Sequence, residues 1–265
     1  AGDSVIPGGS AAARAAAAGA FRVERGQMLR SRSPPPASVI LQKQYLHRSV
    51  VLILEAEAEY TLGAILNRPG LGVLQFKGSL ANRRIMFGGD MQAQIGGAGA
   101  DGFIWLHRLR DLAGSSTPIG DSGVWLTTST RAGEAIRGGA ARPEDFLVVN
   151  GLCFWDAGEI EEELLEHNAF DVVSRPDEFV PWESIWALAN PEVELGAGAK
   201  EGGQAELGVG IWRELGATLT PEDSPLASMR PPQAPASPED LEAAAERVRL
   251  AGRALTGVAK VFLDG

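Results

Sequence analysis

The sequence predicts an α+β fold, on two observations. Strand patterns succeed one another between residues 38 and 150 with a single short helical stretch among them. Helices do not alternate with strands, as a doubly wound parallel sheet would require.

Taken in order, residues 1–37 read as a low-complexity basic N-terminal arm. Residues 1–50 carry seven Arg/Lys against Asp3 and Glu24, and Arg30–Pro36 (RSRSPPP) is a Pro-rich connector of extended character. Order is expected from Ser38, and the main domain over residues 38–219. Ser38–Gln42 reads as a short apolar strand. Ser49–Glu55 (SVVLILE) is β-branched and continuous, which predicts a strand buried on both faces. Leu62–Leu66 is another strand, ended by the turn signal Asn67-Arg68-Pro69-Gly70. Ile85–Phe87 leads into Gly88-Gly89, and Gly102–Leu106, Gly123–Thr127 and Phe146–Asn150 also read as strands. Thr130–Gly138 predicts a helix with Thr128 or Ser129 as its N-cap. Gly158–His167 predicts a second helix, with Ile160, Leu164 and Leu165 on one face.

Residues 196–210, rich in Gly and Ala, read as a loop insertion, and residues 220–237 as a Pro-rich linker. Residues 238–265 predict an amphipathic helix. Ser237 caps it, Pro238 takes its first position, and Leu241, Val248, Leu255 and Phe262 recur every seven residues. That stripe either folds back on its own domain or docks on a partner.

Composition narrows the function classes. A net charge of −10 argues against binding nucleic acid by phosphate neutralisation. Residues 155–225 hold 17 Asp/Glu against three Arg/Lys, so the basic arm is suited to an acidic partner or to the chain's own acidic face. Cys153 is the single cysteine, which excludes an intrachain disulfide. His47, His107 and His167 are scattered, which excludes a Cys/His zinc cluster. No cofactor or metal is expected. No apolar run approaches the ~18 residues of a membrane span. The Ala/Arg-rich, acid-poor stretch over residues 8–33 resembles an organelle transit region.

Five motifs occur in sequence order: Leu46–Glu55 (LHRSVVLILE), Leu62–Pro69 (LGAILNRP), Phe87–Asp90 (FGGD), Gly102–Arg108 (GFIWLHR) and Gly151–Leu164 (GLCFWDAGEIEEEL). With them, residues 38–189 resemble the AlgH-like family. That resemblance implies a bifurcated, mostly antiparallel sheet curled into a partial barrel with flanking helices. The chain departs from the family pattern at Asp90, where a Gly-Gly-Pro motif has Pro, at Leu152 for Tyr, at Glu159 for Gln, and at Ala169 where a second Trp is usual. Part of the polar and aromatic lining of a family cleft is thereby lost. The family's function is unsettled, so the resemblance implies fold more than activity.

The matched polar or special positions are Asn67, Arg68, Gly88, Gly89, His107, Trp155 and Gly158. They admit two readings. They converge on a ligand cleft in which the Gly88-Gly89 N–H groups hold an anion beside Arg68 and His107. Alternatively they are structural: a turn cap, tight glycines and a satisfied interior histidine. Arg48 is placed to pair with Glu161 or Glu163. Ser49 lacks the Gly-x-Ser-x-Gly elbow of a nucleophile, and Cys153 reads as a buried, inert thiol. Glu159, Glu162, Glu163 and Glu166 read as a solvated helix face. No catalytic residue is expected.

The leading expectation is a non-catalytic interaction subunit of a larger organellar complex, which binds other subunits through residues 1–37 and 220–265. With the plastid branch of the family, the N-terminal composition points to a chloroplast, in the stroma or thylakoid-associated, at the periphery of a photosynthetic membrane complex. The alternative is a small-ligand binder or enzyme using the cleft near Arg68, Gly88, Gly89 and His107. The charge balance disfavours a transcriptional regulator.

Overall fold

The computed structural model describes residues 21–33, 43–76, 82–92, 95, 101–173, 175–191, 203–219 and 246. Their strands form two sheets. The first contains β1 (Met28–Ser31), β2 (Val50–Ala56), β3 (Tyr60–Ile65), β10 (Cys153–Asp156) and β11 (Phe170–Val173), in the order β10-β3-β2-β1-β11. Every pairing in it is antiparallel. The second contains β4 (Pro69–Gln75), β5 (Asn82–Phe87), β6 (Phe103–His107), β7 (Thr117–Pro118), β8 (Trp125–Thr127) and β9 (Phe146–Asn150), in the order β4-β5-β9-β6-β8-β7. Here β5 and β9 run parallel and the other neighbours antiparallel. Both sheets keep open edges, so neither closes into a barrel. The expected α+β class with mostly antiparallel pairing is the observed one.

Two crossings of the chain tie the sheets together. Asn67 and Arg68 carry it from β3 into β4, and Gly151 and Leu152 carry it from β9 into β10. Beside the second crossing, Met91 pairs with Leu152 as an isolated bridge. The hydrophobic run of β2 sits in the middle of the first sheet, with Val50 through Leu54 at most 1% exposed. Its side chains alternate between two cores, Val50, Leu52 and Leu54 facing one and Val51 and Ile53 the other. A continuous apolar strand is therefore what this position requires.

The helices are α1 (Ser129–Arg137), α2 (Glu159–Leu165), α3 (Pro176–Phe179), α4 (Trp182–Leu188) and α5 (Gly203–Thr218). The Thr128 hydroxyl caps α1 by accepting from the Arg131 N–H. α2 buries Ile160 and Leu164 in the second core.

Four expectations need correction. The main body does not wait for Ser38: β1 fills the slot between β2 and β11, and Met28 and Leu29 are fully buried there. The expected turn Asn67–Gly70 is shorter than its signal, with a bend at Asn67 only. Pro69 opens β4, at the edge of the second sheet, where its missing N–H breaks no ladder bond. The Gly/Ala-rich stretch is helical from Gly203 onward, because α5 buries Val209, Ile211, Trp212 and Leu215 against the first core. Packing there outweighs the weak helix propensity of glycine. Glu163 is not on a solvated face but 5% exposed. The Ser38–Gln42 strand and the Leu241, Val248, Leu255 and Phe262 stripe lie outside the described residues.

Candidate functional site

Antiparallel pairing of β2 with β3 sets Val51 opposite Ile65, which brings residues 47–49 beside residues 66–68. Asn67, 2% exposed, fastens this place. Its Oδ1 accepts from the Val50 N–H at 2.8 Å, and its Nδ2 donates to the carbonyls of Arg48 and Gly208, each at 2.9 Å. Asn67 thus staples β2, the turn before it and α5 together. Gly208 is required here, since a Cβ would strike the Asn67 carbonyl.

The other matched glycines build the second crossing. The Gly88 N–H donates to Asn150 O at 2.7 Å, so it is not free to cradle an anion. Its carbonyl accepts from Ile65 N–H at 2.9 Å and from the Cys153 thiol at 3.3 Å. A side chain at Gly88 or Gly89 would run into the backbone of Gly151 or Leu152. Two backbones touch where the sheets part, and only glycine permits the approach.

Cys153 and Trp155 share one face of β10, and both are fully buried. Burial, reinforced by the nearby negative charge of Asp90, pushes the Cys153 thiol well above its ordinary range despite Arg68 and Lys43. The expected burial of the thiol is therefore matched. Trp155 packs in the second core with Leu46, Ile53, Ile65 and Phe170, while the Lys43 ammonium stands 5.3 Å from its ring. Lys43 also pairs with Glu159 at 2.5 Å. Gly158, with φ of 76°, precedes α2 as its N-cap.

His107 does not join this group. It lies opposite Phe146 at the far end of β9 from Asn150, on the order of 13 Å along the strand from the Gly88 crossing. Its Nε2 pairs with the Ser116 hydroxyl at 2.8 Å, its Nδ1 accepts from the Leu109 N–H at 3.2 Å, and its ring stacks on Trp125. Burial holds its pKa down to about 4. The expected cleft therefore separates. Arg68, Gly88 and Gly89 gather around Cys153, Trp155 stands further along the same strand face, and His107 is a satisfied interior histidine elsewhere.

Arg68 remains without a comparable structural duty. It is partly buried, and its guanidinium donates to the His47 carbonyl. Burial lowers its pKa to about 10, with Cys153 alone opposing that shift. Next to it stand His47 and Arg48. His47 is 1% exposed and is pushed down to about 4 by burial and then by the charges of Arg48 and Arg68. Arg48 occupies the left-handed region at φ of 54°. Its guanidinium lies 5.9 Å from the Trp212 ring, and no described ion pair joins it to Glu161. Glu161 instead accepts from the Val23 N–H. Sequence reasoning missed His47. The signal lay in the hairpin itself, since pairing of two successive strands places the residue before one beside the residue after the other.

Among the described residues no group of three or more His, Cys, Asp and Glu is arranged to hold a metal ion, and no helix is long and apolar enough to cross a membrane.

Residues 37–189 match the family model described as AlgH-like. A UPF0301 protein of Cronobacter sakazakii is 38% identical over 136 residues, which cover 48% of this chain and 71% of that protein. The UPF0301 protein YqgE of Salmonella paratyphi B is 36% identical over the same shares of each. The solution structure of AlgH from Pseudomonas aeruginosa aligns with 23% identity and a TM-score of 0.39, covering 56% of this chain and 75% of that one.

Proposed function

The chain belongs to the AlgH-like family, and from that premise we propose that its domain is a non-catalytic binding module held in a larger assembly by the segments that flank it. One observation carries the reading. At three of the matched motif positions the polar atoms are engaged inside the fold: Asn67 on three backbone groups, the Gly88 N–H on Asn150, and both His107 nitrogens on their neighbours. A general base or nucleophile needs a polar atom available to substrate. The Ser49 hydroxyl donates to Leu46 O at 2.7 Å inside the core, and burial keeps the Cys153 thiol protonated. The motifs so placed specify where two sheets part, which is a task of architecture.

The partners of the module are other protein subunits, engaged by the basic N-terminal segment and by residues 238–265, whose seven-residue apolar repeat suits a groove on a neighbour. An organellar version, at the periphery of a chloroplast membrane complex, rests on the composition of residues 8–33 and on the plastid branch of the family, while the relatives named above are bacterial. Deletion of residues 220–265 tests the proposal. The shortened chain is expected to keep its far-ultraviolet circular dichroism and cooperative melting but to lose the proteins that co-purify with the full chain from its native source. Full retention of those proteins by the shortened chain contradicts it.

A further inference from the structure

We propose that His47, Arg48 and Arg68 form a binding site for a small phosphate-type oxyanion at the crossing from β3 to β4. The inference is independent of what the flanking segments hold.

Two arginines, one from each of the first two motifs, stand beside His47. The Arg68 guanidinium donates to the His47 carbonyl, and Asn67 holds the Arg48 carbonyl through its Nδ2. Both arginine charges act on the His47 ring. The backbone here is pinned from several sides: Val50 N–H on Asn67, Ser49 N–H on the Ser31 hydroxyl at 2.8 Å, and the Ser49 hydroxyl on Leu46 O. Arg48 is held in a left-handed conformation that a residue with a side chain seldom adopts.

Among the described ion pairs no carboxylate meets this cluster. Arg30, Arg32, Lys43, Arg142 and Arg175 each pair with a carboxylate, whereas neither Arg48 nor Arg68 has one among the described ion pairs. The acidic group felt by Arg68 is the Cys153 thiol, which burial keeps neutral. Asp90 lies by the Tyr45 hydroxyl and the Cys153 thiol and forms no described ion pair with either arginine.

His47 supplies an independent observation. It is 1% exposed, and neither ring nitrogen has a hydrogen-bond partner; the buried Nε of Arg48 is likewise unpaired. Buried polar atoms in folded proteins are almost always satisfied, so an orphaned imidazole that feels the charges of Arg48 and Arg68 marks a place for something else. Water would satisfy the nitrogens and leave both charges. An oxyanion answers both needs.

The donor set favours phosphate over carboxylate. Two guanidinium forks and a neutral imidazole N–H offer more donors than two carboxylate oxygens accept, while a phosphate presents oxygens in tetrahedral array. The net charge of −10 turns the site away from a nucleic-acid backbone and toward a small ligand.

Titration of the full chain by calorimetry and thermal unfolding tests this, with inorganic phosphate, glycerol phosphate and acetate at ionic strength matched by chloride. Saturable binding of phosphate is expected, and acetate at least tenfold weaker. Binding of glycerol phosphate as well would identify a phosphoryl group on a larger molecule as the ligand; exclusion of it would identify the free ion. Arg68→Gln and Arg48→Gln should each weaken binding at least tenfold. Arg48 makes no described side-chain hydrogen bond, so its variant is expected to fold even if the Arg68 variant does not. The exposed Arg142→Gln should bind as the unaltered chain does. No saturable response to phosphate, equal affinity for acetate, or an Arg48→Gln titration superimposable on the wild type would overturn the proposal.

Discussion

Replacing Gly151 by alanine tests whether the glycines of the motif segments serve the contact between the two sheets. Gly151 has φ of 80°, and a Cβ there would approach the backbone of Gly89 closer than 3.0 Å. Two costs combine. Left-handed backbone costs a residue with a side chain roughly 1–2 kcal/mol. Overpacking adds about 1–3 kcal/mol, and more of that range applies because the obstacle is backbone and cannot swing aside. The substitution should therefore destabilise by roughly 2–5 kcal/mol, and at about 2–4 °C per kcal/mol for a domain of this size the melting temperature should fall by roughly 4–20 °C. Gly139 separates the two costs. It has φ of 74°, but a Cβ there would meet nothing within 4 Å, so Gly139→Ala should show the backbone cost alone. Urea unfolding followed by circular dichroism measures both variants. Equal losses at the two positions would refute the close-approach argument.

Two further predictions follow from burial. His107 has its pKa lowered to about 4 from 6.5, so the unfolded chain takes up a proton first as pH falls. Stability contributed by the neutral imidazole is full above about pH 6.5 and declines toward pH 4, by at most about 3 kcal/mol. His107→Gln should flatten the dependence of unfolding free energy on pH across that window, and an unchanged slope would count against it. Cys153, the single cysteine, is fully buried with its thiol held protonated. A thiol reagent at pH 8 should react at a rate that rises steeply with urea, tracking opening of the fold; reaction at the rate of a free thiol in native buffer contradicts the placement.

What the sequence made legible follows from how local each signal is. β2 carries its answer in its composition, because a β-branched run between two cores needs no context. α1 carries its own cap at Thr128. β1 does not: Met28–Ser31 is four residues long with an arginine inside, beside a basic low-complexity tract. Only the slot between β2 and β11 makes it a strand. α5 was hidden by its glycines, since its stability comes from Trp212 and Leu215 against the core rather than from propensity. Among the candidate site residues, Asn67, Gly88 and Gly89 were legible as special. Their task depends on which carbonyl they meet, and pairing alone decides that. His107 was grouped with Arg68 because a motif list holds no distances, and the β6–β9 register separates them.

Asn67 bears most directly on the claim that the motif positions serve the architecture and leave partner binding to the flanking segments. Asn67→Ala would strand the Val50 N–H and the Arg48 carbonyl and remove the tie to Gly208, whose carbonyl keeps its place in the α5 ladder, at about 1–3 kcal/mol for each buried group left unpaired. The decisive measurement is the unfolding free energy of this variant together with its retention of co-purifying proteins, at a temperature where it remains folded. Stability should fall by at least about 2 kcal/mol while association is unchanged. Stability within about 0.5 kcal/mol of the wild type, together with lost association, would contradict the account.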